Sequence, residues 1–383
     1  MSVIKNNKNY GTRVILLGEP PVPPTPTGDY FYVEDASGAD NTLSIKGTNA
    51  TSIEVFCSTD KQNWTSMGIT SSTAITATIP ANGRLYLKAN VNAWGISGYN
   101  NNITASGNHN VGGNIMSLLY GDNYQTNFLT NNTYAFYSVF KNNTTLINAE
   151  NLVLPYNTVG NCYYQMFQNC TALTAAPELP ATTLAQSCYN TMFYGCTSLT
   201  AAPELPATTL ANSCYYQMFY NCTALTAAPE LPATTLTIEC YYGMFWGCTG
   251  LTTAPVLPAT TLIYKCYQYM FQNCTSLTTA PALPATTLAQ NCYYGMFNGC
   301  TSLTTAPELP ATTLTYQCYY IMFKGCSNLV KVTTYATDIS ATQCLNNWMQ
   351  NVSATGDFYN LGGATYPRGT SGIPSGWTEH NSL

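Results

Sequence analysis

One unit of 26 residues is repeated from residue 162 to residue 329 of this chain. The unit reads Cys-Tyr-Tyr-x-Met-Phe-x-Asn/Gly-Cys-Thr-x-Leu-Thr-x-Ala-Pro-x-Leu-Pro-Ala-Thr-Thr-Leu. Its first cysteine recurs at a constant step, at Cys162, Cys188, Cys214, Cys240, Cys266, Cys292 and Cys318. A fixed period in this range is typical of solenoids, because each unit buries its apolar face only by stacking on its neighbours.

Each unit is predicted to begin with a short helix. Cys162, Met166 and Cys170 are spaced by four, with Tyr163 and Phe167 beside them, which gives an apolar stripe at helical period. The position two after the phenylalanine holds only Asn or Gly, the residues that best tolerate the left-handed conformation, so it is typical of a helix C-cap. This position is Asn169, Gly195, Asn221, Gly247, Asn273, Gly299 and Gly325, with Asn142 and Asn351 outside the regular units.

The rest of each unit is predicted to be a short strand and a proline-bounded bend. Residues 173–176 read Leu-Thr-Ala-Ala, and Pro177 and Pro180, which cannot donate to a sheet ladder, keep the strand brief. Leucines at 173, 179 and 184 recur in the full units and are predicted to form the core. The predicted fold class is therefore a mixed α/β solenoid of leucine-rich repeats with a 26-residue period.

The order of aromatic, cysteine and leucine residues resembles the BspA-like leucine-rich repeats of gut and oral bacterial surface proteins. In this chain the order is Phe167-Gln-Asn-Cys170-Thr-Ala-Leu173, and the resemblance covers residues 113–383. Residues 113–121 and 371–377 resemble the segments that open and close such solenoids. The resemblance implies a leucine-rich repeat fold and a role in adhesion, without a catalytic motif. Repeats of this kind also occur in phages of gut bacteria.

Residues 29–112 are predicted to form a small all-β, immunoglobulin-like sandwich. Five stretches alternate in polarity or are β-branched and are separated by polar and glycine turns, at residues 30–33, 42–45, 52–57, 75–79 and 84–88. Residues 58–64 read as a hairpin turn with Trp64 packed back on the domain. The alternative for Trp64 is a ligand contact.

The first 19 residues are predicted to form a distinct arm, and residues 20–28 a semi-rigid proline-rich linker. The arm is expected to anchor the chain to a capsid or tail protein as an added strand, and a flexible leader is the alternative. Its longest apolar run, residues 14–17, is too short for the apolar core of a secretory signal, which has about 7–15 residues. We therefore expect a chain that is assembled inside the producing cell and carried out on a particle. The anchoring residues are predicted to be Lys5, Lys8, Arg13, Val14, Ile15 and Leu16.

The composition excludes several classes of function. Charged residues make up 8% of the chain, against about 25% in ordinary proteins. Twelve Lys and Arg residues against seventeen Asp and Glu residues give a net charge of −5, so there is no basic footprint for nucleic acid. Two histidines are too few for most acid–base or metal chemistry, and His109 is predicted to lie in a surface loop. We expect no enzyme activity, no cofactor, no metal and no membrane span.

Fifteen of the sixteen cysteines fall in two columns, one from Cys162 to Cys344 and one from Cys170 to Cys326. Both columns lie on the apolar stripe, and buried free cysteines behave as small hydrophobic residues. The sequence favours two ladders of reduced core thiols, and disulfides between the columns are the alternative. The solenoid is assigned to residues 113–343, and residues 344–383 are predicted to cap its end with Trp348, Phe358 and Trp377.

Two outward positions of the predicted helix are rich in aromatic residues. They are four residues apart and would touch on a helix surface, so five side chains are predicted to form one exposed patch. The patch is Tyr194, Tyr216, Tyr220, Tyr242 and Trp246. Three readings stay open for it: a tyrosine-rich surface without a ligand, a protein or subunit contact, and a glycan platform.

A second column of the repeat, Glu178, Glu204 and Glu230, would place like charges side by side. It fits a bound cation or a basic partner, or else a solvated ladder.

These observations predict a non-enzymatic virion protein, a fibre or decoration protein on the virion surface. It is expected to form homo-oligomers and to display its solenoid to a host surface protein or a glycan. The alternative is an adhesin on the bacterial cell surface.

Overall fold

The computed structural model describes residues 28–47, 52–96 and 99–383. The predicted anchoring residues and the proline-rich linker before Gly28 lie outside the described residues. Within the described residues, none of the helices is long and apolar enough to cross a membrane.

The first part of the chain forms two β-sheets. Their strands are β1 Tyr32–Asp35, β2 Asn41–Gly47, β3 Glu54–Ser58, β4 Thr65–Ile69, β5 Ile75–Ile79, β6 Arg84–Lys88, β7 Gly95–Ile96, β8 Tyr99–Ala105, β9 His109–Asn114 and β10 Leu146–Val153. One sheet has six strands in the order β10-β9-β1-β6-β3-β4, and the other has four in the order β5-β2-β8-β7. Apolar residues of both sheets, such as Val33, Leu43 and Val55, are fully buried in a shared core.

The five strands predicted for residues 29–112 are confirmed as β1, β2, β3, β5 and β6, with shifts of up to two residues at their ends. The turn between β3 and β4 is also confirmed, because the two strands pair antiparallel. Trp64 packs back on the domain, with its ring centroid 4.9 Å from that of Tyr30. Strands β4, β7, β8 and β9 are not evident from the sequence. Their residues are rich in Asn, Gly, Ser and Thr, which carry little β-propensity apart from threonine.

The β-sheet continues directly into the solenoid. Strand β9 runs through the predicted domain boundary at residues 112–113 and pairs in parallel with β10, which belongs to the first, irregular coil. A single α-helical turn, Ser117–Tyr120, and a 3-10 turn, Gly121–Asn123, follow β9. The six-stranded sheet thus covers the first coil.

The predicted helix in each repeat is wrong. Amides of Tyr163 and Gln165 donate to the next coil, at Cys188 O (2.9 Å) and Asn190 O (3.0 Å). The intervening amides close local four-residue turns, such as Met166 N to Tyr163 O at 3.1 Å. Alternate residues therefore bond within the coil and between coils, and the four-residue ladder of an α-helix does not form.

The left-handed conformation predicted two residues after the phenylalanine is confirmed, but it recurs throughout the turn region. Asn161, Gln165 and Asn169 have φ angles of +55°, +58° and +58°. Because one residue in every four is left-handed, the chain bends at regular intervals without forming a helix. A period of four in the cysteine stripe fits this backbone as well as it fits a helix, which explains the wrong prediction.

The predicted strand after each turn region is reduced to single bridges. Ala227, Thr253 and Thr279 pair in parallel from coil to coil as isolated residues. The prolines that follow supply no amide hydrogen, so the ladder does not extend.

The coils stack in register, as the repeat predicts. The column of tyrosine rings from Tyr163 to Tyr319 has successive centroids 5.5 to 6.1 Å apart. The phenylalanine column from Phe167 to Phe323 has spacings of 5.4 to 5.7 Å. Leucines such as Leu173 are buried beside them, so one continuous core runs along the stack.

Both cysteine columns lie in this core as free thiols. The Cys170 Sγ–H donates to Phe140 O at 3.0 Å, and the Cys196 Sγ–H donates to Phe167 O at 3.1 Å. Burial raises the pKa of Cys162 to about 12. The thiols therefore stay protonated and act as packing groups.

Aromatic residues of the C-terminal segment pack against the last coil of the stack. Trp348 is fully buried and stacks on Tyr319 with ring centroids 6.3 Å apart. Phe358 and Trp377 are buried too. They lie in a parallel sheet of the strands β11 Lys331–Thr334, β12 Gly356–Asn360 and β13 Trp377–His380.

The prediction for His109 is wrong. The residue lies in β9 and is fully buried. Its Nδ1 atom is 3.0 Å from Gly107 O, and its Nε2 atom is 3.1 Å from Asn143 Nδ2. The carbonyl can only accept and the amide nitrogen can only donate, so the ring is neutral with its hydrogen on Nδ1. Burial lowers the pKa of His109 from 6.5 to about 4.

Candidate functional site: an aromatic ridge on the solenoid

The five aromatic residues predicted as a patch lie on one side of the stack, half-buried. They form two columns that run from coil to coil. Tyr194 and Tyr220 stack with centroids 4.4 Å apart and planes 1° apart. Trp246 continues this column at 5.1 Å from Tyr220, but its plane is tilted by 57°.

The second column pairs Tyr216 with Tyr242, with centroids 4.5 Å apart and planes 6° apart. Because the turn region is not a helix, the two columns are not joined by the four-residue contacts that the sequence predicts. They are joined by Tyr269, a residue that the prediction omitted. Its ring lies 5.0 Å from Trp246 and 5.7 Å from Tyr242.

Tyr269 takes this role because its coil breaks both columns. In this coil the two column positions hold Gln268 and Gln272 in place of aromatic residues. The aromatic side chain is instead at the left-handed position between them, where φ is +58°. One central ring thus replaces two column rings.

Glycines on both sides of Tyr269 make room for the tilted rings. The equivalent positions in the neighbouring coils are Gly243 and Gly295, with φ angles of +55° and +58°. A Cβ atom on Gly295 would lie 2.6 Å from the Tyr269 ring, and one on Gly243 would lie 3.5 Å from the Trp246 ring. The large side chains therefore pack against bare backbone.

The aromatic surface continues past Tyr269 towards the C-terminal end. Tyr294 contacts Tyr269 at 5.1 Å, edge to face, and Tyr320 stacks on Tyr294 at 4.6 Å. We call the whole set the aromatic ridge; it comprises Tyr194, Tyr216, Tyr220, Tyr242, Trp246, Tyr269, Tyr294 and Tyr320. Tyr294 and Tyr320 share the repeat position of Tyr216, so the sequence carried a signal for them. Tyr269 sits at a position that is otherwise Gln, Thr, Gly or Ile and carried no such signal.

Five of the ridge tyrosines have a raised pKa, so their hydroxyls stay protonated at neutral pH. Burial and the Tyr216 hydroxyl raise the pKa of Tyr242, and burial and the Tyr269 hydroxyl raise that of Tyr294. Burial also raises the pKa of Tyr216, Tyr220 and Tyr269. The ridge therefore offers uncharged hydroxyls, each of which can donate and accept.

An ion pair lies beside the ridge. Lys265 Nζ lies 3.3 Å from Glu239 Oε1, with both side chains about three-quarters buried. Glu239 is close enough to raise the pKa of Tyr216 and Tyr242, which places the ion pair at the ridge border. The remaining neighbours include the amides of Gln217, Gln268 and Gln272.

The side chains of the predicted glutamate column, Glu178, Glu204 and Glu230, are exposed, and so is Glu308 at the same repeat position. Tyr335 donates a hydrogen bond to Glu308 at 3.3 Å. Among residues 28–47, 52–96 and 99–383, no three or more His, Cys, Asp or Glu side chains are grouped to hold a metal ion.

The comparisons with known proteins identify the repeats. The family model described as BspA type leucine rich repeat region, in six copies, matches residues 124–252 and 239–365. No curated protein and no solved structure matches the chain.

Proposed function

Because the chain belongs to the BspA-type leucine-rich repeat family, we propose that it is a non-enzymatic, surface-displayed adhesin-type protein that attaches through the aromatic ridge. The observation that carries this proposal is the ridge itself: eight half-buried rings in contact across consecutive coils. Rigid aromatic side chains with polar tips give a large contact area at a low cost in conformational entropy.

The stacking fixes these side chains before any ligand arrives. Each ring is held by neighbours 4.4 to 5.7 Å away, and the backbone beneath is tied to the next coil through amide hydrogen bonds. A surface that is ordered in advance loses little rotamer freedom on binding. This supports a binding role over a structural role for the rings.

Attachment of the labelled protein to host cells tests the ridge. Tyr220→Ala combined with Trp246→Ala should lower attachment at least tenfold, since both rings are central to the ridge. The matched control is Tyr264→Ala combined with Tyr335→Ala, which removes two tyrosines outside the ridge and should leave attachment unchanged. Equal attachment of both variants, with unchanged melting temperatures, would remove the ridge as the attachment site.

We propose further that the display surface is that of a virion, where the chain serves as a fibre or decoration protein. The supporting observation is the composition of residues 1–19, which carry Lys5, Lys8 and Arg13 before the first acidic residue, Glu19, and precede a proline-rich linker. A cationic arm on a semi-rigid spacer suits attachment to an acidic capsid or tail protein. We also propose that the two-sheet region is an immunoglobulin-like spacer and that the protein acts as a homo-oligomer.

Mass spectrometry of purified virions tests this location. The proposal predicts peptides of this chain at a constant ratio to the major capsid protein after density-gradient purification. Recovery of the chain from the surface of uninfected cells, and its absence from virions, would favour the cell-surface alternative.

A further inference from the structure

The parallel and tilted parts of the aromatic ridge expose different chemistry. In the stacked pairs Tyr194–Tyr220, Tyr216–Tyr242 and Tyr294–Tyr320, each ring covers a face of its partner. Such pairs present mainly ring edges and hydroxyls to an approaching molecule. They offer hydrogen bonds, but few open ring faces.

The stacking is interrupted where Trp246 and Tyr269 meet. Tyr269 is inclined by 84° to Tyr242, by 76° to Tyr294 and by 39° to Trp246. In a steeply inclined contact only one ring can present its face to the other. Ring face is therefore left without a parallel neighbour at this point of the ridge.

From this geometry we infer that Trp246 and Tyr269 form a stacking site for a neutral oligosaccharide, an inference that rests on the proposed attachment function of the ridge. The face of an aromatic ring is electron-rich, and the C–H face of a pyranose is its complement. The sugar hydroxyls then need uncharged donors and acceptors at the rim of the ring faces.

Those groups surround the two rings. Gln217 lies against Gly243, directly beside Trp246. Gln272 takes the place of the next ring in the Trp246 column and is half-buried, so part of its side chain is open to solvent. The tyrosine hydroxyls of Tyr242 and Tyr294 flank the same coil.

The charge of this region favours a neutral sugar over an acidic one. The nearest charged pair, Lys265 and Glu239, is mutually compensated. An acidic glycan would find Lys265 already paired with Glu239.

The small area of open ring face favours a sugar over a protein partner. The ridge rings are all half-buried, and Trp246 and Tyr269 lie on the outer surface of the coil. A single open ring face is enough for a pyranose.

Binding of the full-length chain to a glycan array with neutral and acidic chains tests the inference. The proposal predicts saturable binding to neutral chains, and a change in Trp246 fluorescence when the best neutral chain is titrated in solution. Tyr269→Ala should weaken that affinity at least tenfold, and the matched Tyr264→Ala should change it less than twofold. Trp246→Phe should abolish the fluorescence change while retaining measurable binding.

Three results would overturn the inference: no binding to any array chain, binding confined to acidic chains, or equal affinity of Tyr269→Ala and the unmodified protein. Periodate treatment of host cells separates this failure from failure of the attachment function. Attachment that survives periodate but is lost after protease treatment would leave the ridge as a protein-binding surface and refute the sugar site. Attachment lost after periodate supports the sugar site.

Discussion

The residues that shape the coil are those that accept a positive φ angle. Two residues after the phenylalanine, Asn and Gly alternate in most successive coils, so that an asparagine side chain lies over the next glycine. A Cβ atom on Gly247 would lie 2.0 Å from Asn221 Oδ1, whereas one on Gly325 meets its nearest atom at 3.6 Å. The two glycines share a φ angle of +76°. The two positions differ in the space available for a Cβ atom, so alanine substitutions at them can be compared directly.

Gly247→Ala should therefore destabilise the protein more than Gly325→Ala does. Both variants place an L-residue in the left-handed region, at about 1–2 kcal/mol, but Gly247→Ala also displaces the Asn221 side chain. Adding Asn221→Gly to Gly247→Ala should bring the loss back to that of Gly325→Ala. Chemical denaturation measures the free energies of unfolding, and equal losses for the two single variants would contradict this packing.

Buried His109 makes stability depend on pH. Its pKa is about 4 in the folded protein and about 6.5 in an unfolded chain, so the unfolded state binds the proton first on acidification. The contribution is fully present above pH 6.5 and is lost as the pH falls towards 4, by about 3 kcal/mol in all. Denaturation curves between pH 7 and pH 4 should show this loss, and His109→Asn should reduce it. An identical pH dependence in both proteins would refute the assignment.

At the scale of the element, the sequence predicted which side chains face inwards but not the backbone that carries them. Tyr163, Met166 and Phe167 are fully buried as expected. A helix and a chain of four-residue turns both place every fourth side chain on one face, so the apolar stripe could not separate them. Only the last of the three left-handed positions holds Asn or Gly in every regular coil; the first two also hold residues such as Glu239, Tyr269 and Ile321. The sequence therefore predicts a left-handed residue at the last position alone.

The turn backbone should be visible in the far-ultraviolet circular dichroism spectrum. Among the described residues the structure has one α-helical turn, Ser117–Tyr120, whereas a helix in every repeat would give strong minima near the wavelengths typical of α-helices. We expect those minima to be absent. A spectrum with substantial helix content would restore the mixed α/β prediction.

The cysteine columns should be inert in the folded protein. Burial raises the pKa of Cys162 and Cys240 to about 12 and shields both sulfurs from solvent. An aromatic disulfide reagent should therefore react with the repeat thiols only after denaturation, with half-buried Cys57 as the fastest in the native state. All sixteen thiols should then titrate without prior reduction. A thiol count below sixteen that rises after reduction would indicate disulfides between the columns.

At the scale of the whole molecule, the repeat alone predicts a stack with equivalent residues as neighbours and a covered C-terminal end. It does not predict how the stack begins, because the pairing of β9 with β10 joins residues that are far apart in sequence and lack a shared pattern. It also predicts only part of the aromatic ridge. Columns follow from the period, but the bridge through Tyr269 depends on the absence of a side chain at Gly295, where a Cβ atom would lie 2.6 Å from the Tyr269 ring.

Cross-linking of paired cysteine variants tests the register of the stack, on which the ridge depends. Thr261 and Thr287 are exposed, equivalent residues of adjacent coils and form a parallel bridge, which is within reach of a disulfide. Thr261→Cys with Thr287→Cys should oxidise rapidly to an intramolecular disulfide in the native monomer, whereas Thr261→Cys with Thr313→Cys, two coils apart, should not. Equal cross-linking of both pairs, or none in either, would contradict the stacked register.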